Sequence, residues 1–283
     1  MSASHPTVAA VLVTHDAAPW LEATLSSIVA QRHQPDAIVI VDDQSTDDTR
    51  AIIERTLGAR ARVLRATSHH PDTTTRIAQN FQQGLRAVRD HDVAVLGDHD
   101  DLWHPARIGH QVNQLRLHPE VEMLASDGRL VDASGRATGG TLRTAFPVPE
   151  DFNTMQPAEQ MRAALRRSIA TGGASAVRPA AFADVVIPEG WLHDRWWSLV
   201  ATARGAMRLD AEAVIDYRVA AGQEVGLDPG RQGLGTPQRL QEAVTHAPAT
   251  LRRAADLRAL RAFSTDPDVR RVLSPLGLIG ALR

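Results

Sequence analysis

Asp98, Asp100 and Asp101 place three carboxylates within the four positions Asp98-His99-Asp100-Asp101, directly behind the apolar run 93–96. An isolated Asp-x-Asp reads as a turn, because aspartate is common in turns and caps. Three such groups together repel one another and need a neutralising partner. A hard divalent cation, Mn2+ or Mg2+, suits them, since these ions take oxygen ligands and usually share a site with substrate phosphates. Other routes to phosphate chemistry are closed. The segment Val13-Thr14-His15-Asp16-Ala17-Ala18 has no glycine, which excludes the Gly-x-Gly-x-x-Gly dinucleotide site. The chain has no lysine at all: its 31 Lys+Arg residues are all arginine. There is thus no P-loop lysine, no Schiff base and no lysine acid, base or nucleophile.

A phosphohydrolase with Asp98 as nucleophile is the rival use of Asp-x-Asp. The haloacid-dehalogenase-type phosphatases usually carry Thr or Val two residues past the second Asp, where this chain has Leu102, and usually hold the phosphoryl group with a lysine. Paired histidines, His69-His70 and His193 beside Asp194, resemble HD hydrolases only superficially, without the remaining ligands.

Carboxylates distant in sequence work together only if a fold gathers them. The first 130 or so residues alternate strand and helix signals. Strands are expected at 8–13, 37–41, 62–65, 93–96, 123–126 and 130–131. The helices between them carry Leu21, Leu25 and Ile28; Ile52, Ile53 and Leu57; Ile77, Phe81 and Leu85; and Ile108, Val112 and Leu115. Ser45 and Asp48 are expected to cap the second of these and Gly58 to end it, and Pro105 to sit in the first turn of the fourth. Residues 137–156 are expected to form a mobile loop, 174–177 and 214–218 strands, 191–203 a helix closed by Gly205, and 222–237 a flexible segment before an arginine-rich helical tail. This is an α/β fold with a Rossmann-like, mostly parallel sheet. Such sheets bind ligands at the C-terminal ends of their strands, and there the acids gather: Asp16, then Asp42 and Asp43, then Asp98, Asp100 and Asp101.

The 283 residues are 43% hydrophobic, ample for a packed core. A net charge of −2 argues against nucleic acid as a partner. No apolar run approaches the roughly 18 residues of a membrane span. No secretory leader is evident and cysteine is absent, which fits a reducing, cytoplasmic setting. The basic, amphipathic stretch 251–261 is expected to pack on the domain, with peripheral membrane contact as the alternative if the acceptor is lipid-linked.

Several strings resemble the inverting, GT-A-fold glycosyltransferases of family 2 over roughly residues 7–226. Val41-Asp42-Asp43-Gln44-Ser45-Thr46-Asp47 is similar to that family's "VDDGSTD" segment, and Asn80-Phe81-Gln82-Gln83-Gly84-Leu85 to its "N..GL" helix. Asp98-His99-Asp100-Asp101-Leu102-Trp103-His104-Pro105 resembles its "D.DD.W.P" metal motif. Thr171-Gly172-Gly173-Ala174, His193-Asp194-Arg195-Trp196-Trp197 and Tyr217-Arg218 follow the order of rhamnosyltransferase-like members. Two departures stand out: Arg195 interrupts "HDWW", and Ala220 replaces the late histidine of "YR.H".

The resemblance implies a UDP- or dTDP-sugar donor, with dTDP-rhamnose one option, and a glycan, lipid-linked saccharide or small molecule as acceptor. It implies that Thr14, His15 and Asp16 meet the base or ribose, that Asp42, with Asp43 beside it, accepts the N3–H of uracil or thymine, and that Arg76 pairs with diphosphate oxygens. Asp98 and His99 would line the ribose and metal region, Asp100 would ligate the metal directly and Asp101 would support it. Asp194, near a helix N-terminus that favours its ionised form, would be the general base. Gly172, Gly173, His193, Trp196 and Trp197 would form the acceptor side, one tryptophan stacking on sugar and the other serving as core. Trp103 would brace the metal loop. The implied division is a GT-A domain over 1–226, with a nucleotide-binding part near 7–132 and an acceptor-side part near 133–226, followed by a helical extension over 227–283. A non-catalytic nucleotide-sugar-binding subunit is the alternative, supported by the missing late histidine. Oligomeric state is not readable.

Overall fold

The computed structural model describes residues 5–220 and 247–281. The flexible segment expected at 222–237 and the boundary expected at 226/227 lie outside the described residues. The first half alternates β1 (Val8–Thr14), α1 (Leu21–Val29), β2 (Ala37–Asp42), α2 (Thr49–Leu57), β3 (Ala61–Arg65), α3 (Thr73–Ala87) and β4 (Val93–Gly97). Then come β5 (Leu102–Trp103), α4 (Arg107–Leu117), β6 (Met123–Val131), β7 (Ala137–Thr141), α5 (Leu142–Ala145), α6 (Pro157–Arg166), β8 (Ser175–Val177), α7 (Pro179–Phe182), α8 (His193–Arg204) and β9 (Met207–Arg218). Three helices close the described chain: α9 (Ala247–Ala259), α10 (Pro267–Val272) and α11 (Pro275–Ala281).

These strands make one sheet in the order β3-β2-β1-β4-β8-β6-β9-β5, with β7 paired to β6. Its first four strands are parallel, so the ends of β1, β2 and β4 open on the same edge. All seven residues of β1 are buried, as expected of a strand covered on both faces. The alternation of a strand sends Val8, Ala10 and Leu12 to one core with α1, α2 and α4. Ala9, Val11 and Val13 go to the other, with α3 and α8. Leu257, Leu260, Val269, Val272 and Leu278 of the C-terminal helices and the turn between them join this second core, which is how the amphipathic tail buries its apolar stripe.

The structure corrects several element readings. Ser45 and Asp48 do not cap α2. Ser45 Oγ instead donates to Asp42 (2.6 Å) and accepts from the Asp16 amide (3.0 Å), and Asp47 receives the Thr49 amide (2.9 Å). Gln44 and Asp16 both take left-handed backbone, φ 57° and 41°, which starts α2 later and interlocks the two loops. Pro105 lies just ahead of α4 rather than in it. The 123–131 region is one strand, and 137–156 holds β7 and α5 instead of a loop, because Thr141 and Thr144 form a reciprocal capping box. Trp191 precedes α8, which begins at His193.

Helix α3 lies close on the sheet at Gly84, where a Cβ would stand 2.6 Å from Val11 Cγ1 and 3.3 Å from Val41 Cγ2. Overpacking a filled core costs about 1–3 kcal/mol, so Gly84→Val should lower the urea midpoint and melting temperature accordingly. Gly280→Ala, where a Cβ meets nothing within 4 Å, should leave both unchanged or slightly raised.

Candidate active site

A cleft of about 670 Å3 opens along the C-terminal ends of β1, β2 and β4 and reaches the N-terminus of α8. Asp43, Asp98, Asp100 and Asp194 all line it, so carboxylates separated by about 150 residues of sequence share one space. His15, Asp16, His99, Gly172 and His193 line it as well.

Its acidic floor is built on a glycine pair. A Cβ on Gly173 would sit 2.7 Å from both Asp98 Oδ2 and Asp101 Oδ2, and one on Gly172 would sit 2.6 Å from His193 Nε2 and 3.7 Å from Asp194 Cβ. Only backbone without a side chain allows this approach. The Gly172 amide donates to Asp194 Oδ2 (2.9 Å) and the Gly173 amide to Asp98. Asp194 Oδ1 accepts its neighbouring Arg195 amide (2.6 Å).

These bonds only partly offset desolvation. Burial, with repulsion from Asp100 and Asp194, pushes the Asp98 carboxyl up to about 7. Asp101 is raised well above the ordinary carboxylate range by burial and by Asp100 and Asp98. Burial also raises Asp194, against the pull of its amide donors. The countercharge beneath is Arg107, itself buried, whose guanidinium donates to Leu96 O (2.6 Å) and lies 3.9 Å from the Trp103 ring centroid. Burial draws Arg107 down to about 9, while Asp101 and Asp98 favour its charge. Trp103 closes over the end of β4 at Gly97, where a Cβ would meet its ring at 2.6 Å.

Several residues stand elsewhere than the sequence suggested. Asp42 is fully buried beneath the cleft and saturated by Ser45 Oγ (2.6 Å), Arg50 Nε (2.7 Å) and Thr14 Oγ1 (3.3 Å). Neither Asp42 nor Thr14 is among the residues that line the cleft. Asp43 is the one of the pair that lines the cleft, though only 3% exposed: one carboxylate oxygen accepts from Arg76 Nε (2.7 Å) and the other, Oδ1, is buried without a hydrogen-bond partner. Arg76 is thereby committed to Asp43 and to His70 O (3.2 Å) rather than facing diphosphate. Trp196 and Trp197 are both core, 2% and 0% exposed, because α8 is enclosed along most of its length. Asp101 is also buried, accepting the Arg218 amide (3.0 Å). Gly173 lies under the floor rather than on the acceptor side.

Sequence reasoning missed the fasteners. Arg195, which interrupts the expected motif, donates to Ala164 O, Leu165 O and Arg167 O and so caps the C-terminus of α6. Arg218 ties β9 to the acidic loop through Asp100 O (3.0 Å). Arg107 falls four residues past Trp103, a spacing that foretold nothing without the fold. The aromatic lining also differs: Trp20, Phe81, Phe146 and Tyr217 face the cleft.

Among the described residues, no three His, Cys, Asp or Glu side chains form a metal cage by themselves. Mn2+ or Mg2+ commonly takes one or two carboxylates and completes its shell with water and phosphate. Asp98 and Asp100 match that donor set. Arg195 is the only arginine among the described cleft residues, and its guanidinium is spent on α6.

Against this geometry, the profile of Glycosyl transferase family 2 matches residues 9–185. An uncharacterized glycosyltransferase of Nostoc sp. is 30% identical over 108 residues, 36% of this chain and 30% of its own length. Protein CgeD of Bacillus subtilis is 25% identical over 132 residues, 46% of this chain and 31% of its own. The match spans about a third of the length of these curated relatives. Staphylococcus aureus TarS, crystallised with UDP-GlcNAc, superposes with a TM-score of 0.61 at 13% identity, covering 96% of this chain and 71% of that one. A mannosyltransferase from Pyrobaculum calidifontis in complex with GDP-Man and Mn2+ gives 0.55 at 18%, covering 99% and 73%. At such identities these structures establish the architecture, the GT-A fold.

Between the ordinary carboxylate value of 3.8 and about 7, the folded protein retains a proton on Asp98 that the unfolded chain has released. Stability of the chelator-treated protein should therefore fall as pH rises through that window and level off above it. Asp98→Asn should remove part of the slope, leaving the shares due to Asp101 and Asp194. Urea midpoints measured from pH 4.5 to 8 check this; a flat wild-type profile would contradict the buried-acid reading.

Proposed function

The chain belongs to glycosyl transferase family 2, and from that premise we propose that it is an inverting transferase moving a sugar from a nucleoside-diphosphate donor to an acceptor hydroxyl. The observation that carries this is the single cleft in which Asp98 and Asp100 at one strand end face Asp194 at a helix start. A UDP- or dTDP-linked donor suits Asp43, whose unpartnered Oδ1 offers an acceptor for the N3–H of uracil or thymine. That role passes to Asp43 from Asp42, which is fully buried and does not line the cleft. Rhamnose remains one option for the sugar, and a glycan, lipid-linked saccharide or small molecule for the acceptor.

Asp194 serves as the base. The acceptor oxygen forms its bond to the anomeric carbon as the bond from that carbon to the diphosphate oxygen breaks, and Asp194 takes the hydroxyl proton. Its two amide donors orient the carboxylate and favour its ionised form, partly offsetting the burial that raises it. Asp98 and Asp100 would hold a divalent cation, Mn2+ or Mg2+, with Asp101 and Arg107 fixing their loop from behind. Bound there, the cation would stabilise negative charge on the leaving diphosphate without proton transfer. The division into a GT-A domain and a helical tail, and a cytoplasmic setting, belong to the same proposal; no described helix is long and apolar enough to cross a membrane. Ala220, standing where related motifs carry histidine, favours the second reading, a binding subunit without turnover.

Replacing a general base typically costs about 10^2- to 10^4-fold in rate. Asp194→Asn should lose transfer by that order in a product assay while UDP with Mn2+ still raises its melting temperature. Full turnover by the variant would remove Asp194 from the mechanism. Donor binding by the wild type with neither transfer nor slow donor hydrolysis would favour the binding subunit.

A further inference from the structure

His193 opens α8 one residue before the proposed base, lines the cleft and is only 4% exposed. Its ring stacks on Phe81, centroids 3.7 Å apart and planes 20° from parallel, and the edge of Trp197 lies 5.2 Å away. These two ring contacts fix the imidazole's position, yet neither Nδ1 nor Nε2 has a hydrogen-bond partner. Buried polar atoms are nearly always paired in folded proteins, and an orphan calls for an explanation. The indole nitrogens of Trp103, Trp196 and Trp197 are unpaired too, but those rings do not line the cleft. His193 does, and its Nε2 edge is turned toward Gly172, where any Cβ would crowd it at 2.6 Å.

We infer that His193 reads a hydroxyl of the sugar held at the reacting end of the cleft and discriminates against sugars lacking it. The inference rests on the glycosyl-transfer reading above and adds a specificity determinant to it. Burial draws the imidazole down to about 3, so at neutral pH it is uncharged, with one N–H donor and one acceptor nitrogen. A hydroxyl likewise donates and accepts. A preformed, desolvated partner of this kind strongly rejects an analogue without the hydroxyl, because its own polar atom then stays unpaired. The hydroxyl belongs either to the transferred sugar or to the acceptor sugar, and both present the same chemistry.

The test compares wild type with His193→Phe, which keeps the ring stacked on Phe81 but removes both nitrogens. The donor is whichever of UDP-glucose, UDP-GlcNAc and dTDP-rhamnose the wild type uses best, with single-deoxy forms of that donor and of its acceptor. The variant should lose about 10- to 100-fold in kcat/KM on the complete substrates. It should match wild type on the one deoxy substrate that lacks the hydroxyl read by His193. A deoxy donor meeting that condition assigns the hydroxyl to the transferred sugar, a deoxy acceptor to the accepting one. His193→Asn, retaining a donor and an acceptor, should recover part of the loss. An equal loss on every substrate, no loss at all, or a lost melting-temperature shift with UDP and Mn2+ would overturn the assignment in favour of packing. Absence of transfer by the wild type would instead strike the proposed function on which it rests.

Discussion

Mutual repulsion among desolvated carboxylates is the constraint around which the rest of this structure is arranged. Asp98, Asp101 and Asp194 are all raised by burial, and Asp98 feels both Asp100 and Asp194. A fold that brings such groups together must offset that cost locally. It does so with one buried guanidinium, Arg107, and with backbone amides from Gly172, Gly173, Arg195 and Arg218. The amides come from three separate segments, so the acidic floor is held jointly by the start of α8, the end of β9 and the glycine pair.

Arginine carries the structural work that surrounds this floor. With no lysine in the chain, each fixed cation is a planar fork able to serve several carbonyls at once. Arg195 spans the end of α6, Arg218 holds Asp100 O together with Asp132 O and Ala133 O, and Arg178 reaches Leu115 O and Val121 O. These guanidiniums are consumed by backbone, which leaves the cleft acidic rather than basic. That distribution explains why a chain rich in arginine presents a site suited to a cation with its phosphate partner instead of to bare anions.

Two halves of the cleft differ in how they are finished. At the ends of β1 and β2, Asp42 and Thr14 form a sealed base under Asp43, whose Oδ1 is buried without a hydrogen-bond partner. At the start of α8, Phe81 and Trp197 pack against His193, whose two ring nitrogens are buried without hydrogen-bond partners. One end rests on a hydrogen-bonded polar base and the other on aromatic packing, and each holds an unpartnered polar atom in place, the arrangement by which a largely preformed pocket orients a ligand.

Much of this was readable from residue order. Continuous apolar runs at β1, β2 and β4 announced strands buried on both faces, and acids at their ends announced a shared edge, because parallel strands point their C-termini one way. Helical periodicity placed α1, α3 and α4 for the same local reason. Side-chain direction was not readable. Asp42 and Asp43 are neighbours of identical type, and only the alternation of β2 against β1 and α2 decides which is sealed and which faces the cleft. One of Trp196 and Trp197 is expected from sequence to stack on sugar and the other to be core; α8 is enclosed on nearly every side and both are core. Ser45 followed a capping pattern, but left-handed backbone at Gln44 and Asp16 redirected it to Asp42. The roles of Arg107 and Arg195 depend on partners far away in the chain. Local chemistry determined the elements and the types of group available; long-range packing decided which atoms meet, since burial and countercharge are properties of the assembled core.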